Sequence, residues 1–171
     1  DHSGEGAEPV NTLVSISLNN RDDIQIIASG HDFYASPRLS PDGSQLAWLS
    51  WNHPNMPWDG TQLWVASIQG DGVGEPKCIA GGVDESIFKP EWSADDTLYF
   101  VWDRTGWWNF YRWNQNQVEP LCEMEAEFGL PQWVFGMSTY GISSSDRLIC
   151  AYTLEGRWHL GSIDLQTTQL N

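Results

Sequence analysis

Leu39-Ser40-Pro41-Asp42-Gly43, running on into Gln45-Leu46-Ala47-Trp48-Leu49, decides the fold because it returns twice. Trp92-Ser93-Ala94-Asp95-Asp96 before Thr97-Leu98-Tyr99-Phe100-Val101 is a second copy. Ile142-Ser143-Ser144-Ser145-Asp146 before Leu148-Ile149-Cys150-Ala151-Tyr152 is a weaker third. Leu46, Leu98 and Leu148 stand 52 and 50 positions apart. A second landmark agrees, since Gly106-Trp107-Trp108-Asn109-Phe110 reappears as Gly156-Arg157-Trp158-His159-Leu160 at an offset of 50. Fixed-period self-similarity of this length is the mark of a repeat architecture.

Each unit reads as four short strands. The first full unit places them at Pro37–Ser40, Gln45–Asn52, Gln62–Gln69 and Lys77–Ala80. Ser-Pro-Asp-Gly punctuates it, with Pro at the second turn position and Gly where φ can be positive. Asp59-Gly60 and Gly70-Asp71-Gly72 supply further turns. The next unit has Pro90–Ser93, Thr97–Asp103, Trp108–Asn114 and Val118–Cys122; the last has Thr139–Ser143, Arg147–Tyr152, Trp158–Asp164 and a stub near Gln169. Thr12–Leu18 and Ile24–Ala28 read as the last two strands of an incomplete unit ahead of them.

Helical periodicity is almost absent, and Gly and Pro recur too often for a long helix. Leu46-Ala47-Trp48-Leu49 and Leu98-Tyr99-Phe100-Val101-Trp102 are apolar on both faces, as strands are when their sheet is covered on both sides. Four strands per unit in doubly covered sheets predict an all-β chain, a partial β-propeller of about three and a half four-stranded blades. The units run 1–34 (partial blade), 35–88, 89–132 and 133–171. Closed propellers have roughly four to eight blades, so the expectation is a fragment of a seven- or eight-bladed ring. A two-sheet sandwich gives no reason for the period. Uncovered blade faces at each end invite pairing with another chain, and a homodimer of the fragment is one expectation.

Eight Lys and Arg against 23 Asp and Glu give a net charge of −15. That balance argues against a nucleic-acid backbone or an anionic membrane surface as partner. No apolar run reaches membrane-spanning length, and Asp1-His2-Ser3-Gly4-Glu5 is unlike a signal peptide. Cys78, Cys122 and Cys150 are odd in number and lack metal-ligand spacing. They read as small buried hydrophobes in a reducing, cytoplasmic setting, with neither metal nor cofactor expected. Eleven Trp must stack in a core or line a binding surface.

Longer segments carry a resemblance. Asn52-His53-Pro54-Asn55-Met56-Pro57-Trp58-Asp59-Gly60-Thr61 before Leu63-Trp64-Val65-Ala66 resembles the propeller of the prolyl oligopeptidase family of serine peptidases, nearest to dipeptidyl aminopeptidase and acylaminoacyl-peptidase types. Asp84 to Ser93, Phe100 to Asn109 and Glu125 to Trp133 are similar to the same family. The resemblance implies an N-terminal propeller that caps a C-terminal α/β-hydrolase domain carrying Ser, Asp and His. The hydrolase domain and a peptide substrate are then the expected partners. The chain opens on Asp1 and closes at Asn171 without a G-x-S-x-G elbow, so it reads as a piece of such a protein with no catalytic residue of its own. Gly136-Met137-Ser138-Thr139-Tyr140 lacks the second Gly, and His159 sits in an apolar strand.

In a blade of antiparallel strands, the loop between strands two and three opens on the same face as the connection to the next blade. This collects His31–Tyr34, His53–Thr61, Gly82–Lys89, Asp103–Trp107, Glu123–Trp133 and Leu154–Arg157 on one side. They are the longest and most aromatic loops, the usual place for recognition. The opposite face carries short turns such as Pro41-Asp42-Gly43. Asp84, Glu85, Glu123, Glu125 and Glu127 are the acids of the loop face. In related dipeptidyl peptidases, propeller carboxylates hold the substrate's free amino terminus by charge-assisted hydrogen bonds. The resemblance makes Glu85, Glu125 and Glu127 candidate substrate contacts, with Glu85 or Glu127 as the anchor; their plainer role is to solvate the fold. Trp58 and Trp133 are candidates on the same face, with packing between blades as the plainer role. Trp108 and Trp158, equivalent by repeat position, read as packing residues, and Pro54 to Pro57 as a rigid, extended loop. Two other functions fit the sequence. One is a stand-alone interaction propeller of the TolB type. The other is carbohydrate recognition, although no pair of acids is singled out at the spacing of about 5–9.5 Å that glycosidases use.

Overall fold

The apolar runs on either side of each turn form antiparallel strands. The structure, a computed structural model, describes residues 9–70 and 72–171. Asp71, within one expected turn, and the first eight residues lie outside them. The strands are β1 (Leu13–Ile16), β2 (Ile24–Ala28), β3 (Phe33–Leu39), β4 (Gln45–Trp51), β5 (Gln62–Gln69), β6 (Gly72–Val73) and β7 (Lys77–Gly81). They continue as β8 (Ile87–Trp92), β9 (Leu98–Trp102), β10 (Asn109–Asn114), β11 (Gln117–Cys122), β12 (Tyr140–Ser144), β13 (Arg147–Leu154) and β14 (Arg157–Asp164). The described residues contain no helix.

Neighbouring strands pair in sequence order, as blades require. β1 pairs β2; β3, β4, β5 and β7 form the second sheet, with β6 a short extension on β5. β8 to β11 form the third sheet and β12 to β14 the fourth. The stub near Gln169 is present: Leu170 bridges Ile163, and Asn171 exchanges backbone hydrogen bonds with Ser162. The chain is a partial propeller of about three and a half blades.

The strands that read apolar on both faces are buried on both, and each face has its own neighbour. Leu98, Phe100 and Trp102 of β9 join a core with Leu49, Trp51 and Leu63 of the preceding sheet. Tyr99 and Val101, pointing the other way, join Tyr140, Leu148 and Ile163 of the following sheet. The repeat leucines behave alike. Leu46 packs toward β1 and β2, Leu98 toward the second sheet and Leu148 toward the third. One sequence position thus always faces the preceding blade.

The first strands of the second and third blades begin earlier than Pro37 and Pro90. Each Pro sits at a register shift, between Ala35 and Arg38 and between Phe88 and Glu91. The residues before them, Ser36 and Lys89, have φ of 52° and 46°. Pro lacks the N–H a ladder needs, and a bulge is where a sheet tolerates it, so the strand continues through both. Turns follow the same economy: Gly43 takes φ 72°, and Asp96 takes φ 59° at the matching place.

Three packing expectations are corrected. Cys78 is exposed and Cys122 half-buried; only Cys150 is buried. Cys78 lies on β7, which pairs β5 alone. Trp158 is 57% exposed, and its neighbour on the same side of β14, Leu160, is 81% exposed. The segment after His53 is turned rather than extended: Asp59 and Gly60 donate to the Met56 carbonyl, and the Asp59 carboxylate accepts the Met56 N–H at 2.9 Å.

Candidate functional site

The long loops meet one another along one rim, and their hydrogen bonds form a continuous belt. The Asp32 N–H donates to Asn52 Oδ1 at 2.8 Å, and the His53 N–H returns to Asp32 Oδ2 at 2.8 Å. Ser86 Oγ donates to the Pro57 carbonyl at 3.0 Å. The Ser86 N–H donates to Asp103 Oδ1 at 2.6 Å. Farther along, the Phe128 N–H donates to the Trp108 carbonyl at 2.8 Å, and Glu127 and Thr153 exchange backbone bonds of 2.9 Å. The belt therefore ties the β4–β5 loop to the β7–β8, β9–β10 and β11–β12 connections and to the end of β13.

A cleft of about 420 Å³ opens in this belt. Its apolar walls are Trp58, Trp108, Leu130 and Pro131, and its acids are Asp103 and Glu127. Trp108 is held from two sides. Its ring stacks on Phe88 at 6.2 Å and 11°, and a Cβ at Gly129 would fall 2.5 Å from Trp108 Cε3. Only glycine lets the backbone pass so close over the indole. Trp58 leans on Trp133 with centroids 4.3 Å apart, joining two loops far apart in sequence.

Both acids of the cleft are already hydrogen-bonded within the protein. Glu127 Oε2 accepts the Trp108 N–H at 2.9 Å, and Asp103 Oδ1 accepts the Ser86 N–H. Burial pushes the Asp103 carboxyl above the usual aspartate value; the Ser86 N–H and a hydrogen bond from the Trp108 side chain work against this, and Glu85 adds to it. Desolvation and like charge both disfavour the ionised form.

The five residues singled out from sequence are placed differently. Trp58 and Glu127 line the cleft, and Trp133 packs on Trp58 while 72% exposed. Glu85 is beside the cleft, where its Oε2 accepts the Trp102 indole N–H at 3.0 Å. Glu125 is exposed and does not line the cleft. The sequence reading missed Asp103 and the second role of Trp108. The available signal was position: Asp103 is the first polar residue after the wholly apolar β9, where a blade emerges at the rim. Among the described residues, no group of His, Cys, Asp and Glu is arranged to hold a metal ion.

Successive doubly covered sheets with one loop-rich rim define a portion of a β-propeller. A puromycin-hydrolysing peptidase of Mycobacterium tuberculosis superposes with a TM-score of 0.80 at 37% identity, over 90% of this chain and 24% of that one. A prolyl endopeptidase and TolB from Acinetobacter baumannii, at 14% and 16% identity and a TM-score of 0.62 each, share the fold over 94% of this chain and over 24% and 37% of theirs. No family model and no curated protein matches the chain. The chain spans about a quarter of the peptidase it resembles at 37% identity, and it is similar to the propeller portion of that peptidase, a fold it shares with prolyl oligopeptidases.

Proposed function

We propose that this propeller portion gates and orients peptide substrates for the α/β-hydrolase domain of a serine peptidase, and that the loop rim holds the substrate's free amino terminus. The carrying observation is the acidic, tryptophan-walled cleft on that rim, in a chain 37% identical to a puromycin-hydrolysing peptidase. Glu127 is the leading anchor. Its Oε2 is fixed by the Trp108 N–H, so the carboxylate is oriented before any ligand arrives. Glu85 is the second candidate, although the Trp102 indole already engages one of its oxygens. The stand-alone interaction propeller has weaker support, because the TolB likeness at 16% identity speaks for the fold alone.

Kinetics in the peptidase that carries this propeller test the proposal. Glu127→Gln is expected to raise KM for free-amine peptides about tenfold or more, the scale of a lost charge-assisted hydrogen bond. N-acetylated counterparts of the same peptides should be unaffected. Unchanged KM and kcat/KM for free-amine peptides in both Glu127→Gln and Glu85→Gln would end the proposal.

A further inference from the structure

We propose that the cleft between Trp58 and Trp108 is a specificity subsite for a flat, apolar side chain on the amino-terminal residue of a peptide, with Asp103 as a second anchor for that residue's ammonium. The inference rests on the reading that this rim meets peptide substrate, and it adds which peptides are preferred.

Three observations lead to this occupant. The cleft's walls are indoles carried by different blades, Trp58 on the β4–β5 loop and Trp108 at the start of β10. Planar groups gain from ring-to-ring contact beyond the area they bury, so an aromatic side chain is favoured there over a small aliphatic one. The walls are also fixed in advance: Phe88 and Gly129 hold Trp108, and Trp133 backs Trp58. A pocket whose walls are set before binding loses little entropy on filling, and about 420 Å³ lies within the usual range for small-ligand sites.

The charge of the lining sets the other end of the ligand. Asp103 and Glu127 are its charged groups; Glu127 has spent one oxygen on a backbone N–H, and Asp103 is held by the Ser86 N–H and by the Trp108 side chain. Arg104, next to Asp103 in sequence, lays its guanidinium over the Trp102 ring at 5.0 Å and does not line the cleft. An ammonium offers three donors. It can bond the second oxygen of Glu127 and a lone pair of the Asp103 carboxylate that the Ser86 N–H and the Trp108 side chain leave open, and so offset the cost of half-burying Asp103 beside Glu85. A cation attached to a flat ring matches both the charge and the walls.

Binding of three tripeptide amides to the protein that carries this propeller separates this inference from the reading beneath it. The probes are Phe-Gly-Gly amide, Ala-Gly-Gly amide and N-acetyl-Phe-Gly-Gly amide, titrated by tryptophan fluorescence without reliance on turnover. Phe-Gly-Gly amide is expected to bind about tenfold tighter than either of the others, the scale of one good ring contact or one charged hydrogen bond. Trp58→Ala should erase the preference for Phe over Ala and keep the penalty for acetylation. Asp103→Asn should keep the preference for Phe and reduce the acetylation penalty, the remainder being held by Glu127. Trp58→Leu keeps an apolar wall without a flat face and serves if the alanine variant does not fold. Equal binding of the Phe and Ala peptides, with the acetylation penalty intact, overturns the subsite and leaves the amino-terminal reading standing. A preference for Phe that acetylation does not touch overturns the Asp103 anchor and that reading together. Failure of all three peptides to bind also overturns the inference.

Discussion

Phe110 and Leu160 occupy the same place in successive units, β10 of the third blade and β14 of the fourth, yet their surroundings are opposite. Phe110 is fully buried, with Phe128 and Tyr140 rings 4.9 Å and 5.0 Å away. Leu160 is 81% exposed. Tyr99 and Ile149, another matched pair, divide in the same way: the first is buried and the second exposed. The repeat fixes which side of a sheet a residue faces, and only the adjoining blade decides whether that side is buried. Phe110→Ala is expected to cost about 3–5 kcal/mol, the transfer term plus the cavity left behind. Leu160→Ala should stay within about 0.5 kcal/mol. Urea midpoints of the two variants check this, and comparable losses at both sites would show that a further layer covers β14 in solution.

A smaller contrast lies in the turns. Ser40, Ser93 and Ser144 each place their hydroxyl against the carboxylate two residues on, at 2.7, 2.5 and 2.6 Å. Ser93 is buried and also accepts the Thr97 N–H at 3.2 Å, while Ser144 is exposed. Ser93→Ala therefore strands a buried donor, a loss of about 1–3 kcal/mol. Ser144→Ala should cost no more than about 0.5 kcal/mol, because water replaces the hydroxyl. Equal effects in thermal melts would mean that local turn chemistry, rather than burial, sets the contribution.

These pairs show what could be read from sequence and what could not. The period and the strand order were legible, since turn residues and a recurring apolar run are local chemistry; the face each leucine takes came only with the structure. The stub at Gln169 was legible because the unit predicts a fourth strand. The bulges at Pro37 and Pro90 were not, because Pro reads as a boundary until the paired strand shows the ladder resuming beyond it. The site was legible only as a rim. Grouping the loops needed topology alone, but Trp58 against Trp133 and Ser86 against Asp103 depend on how each loop bends, which repeat position does not encode. Glu125 and Glu127 illustrate the limit: two residues apart and alike in sequence, one is exposed and the other enters the cleft.

Asp42 and Asp103 carry the comparison from blades to rims, with the smallest expected effect. On the turn rim, the Ser40 hydroxyl and then the Ser44 backbone hold the Asp42 carboxyl below its usual value. Its contribution to stability is present above the ordinary aspartate range and lost as pH falls through the lowered value. On the loop rim, burial raises Asp103. The folded chain then binds the proton more tightly than the unfolded chain, so stability falls as pH rises from the ordinary range through the raised value. Asp103→Asn keeps an acceptor for the Ser86 N–H without the charge. It should match the unsubstituted chain in acid and exceed it toward neutral pH, whereas Asp42→Asn should match in acid and fall behind. Denaturation midpoints from below about pH 4 to neutrality check the two slopes. If both variants slope the same way, the rims do not differ in kind. Opposite slopes would mean that the turn rim's carboxylate stabilises the fold, while the loop rim keeps Asp103 charged at a cost that an ammonium ligand can offset.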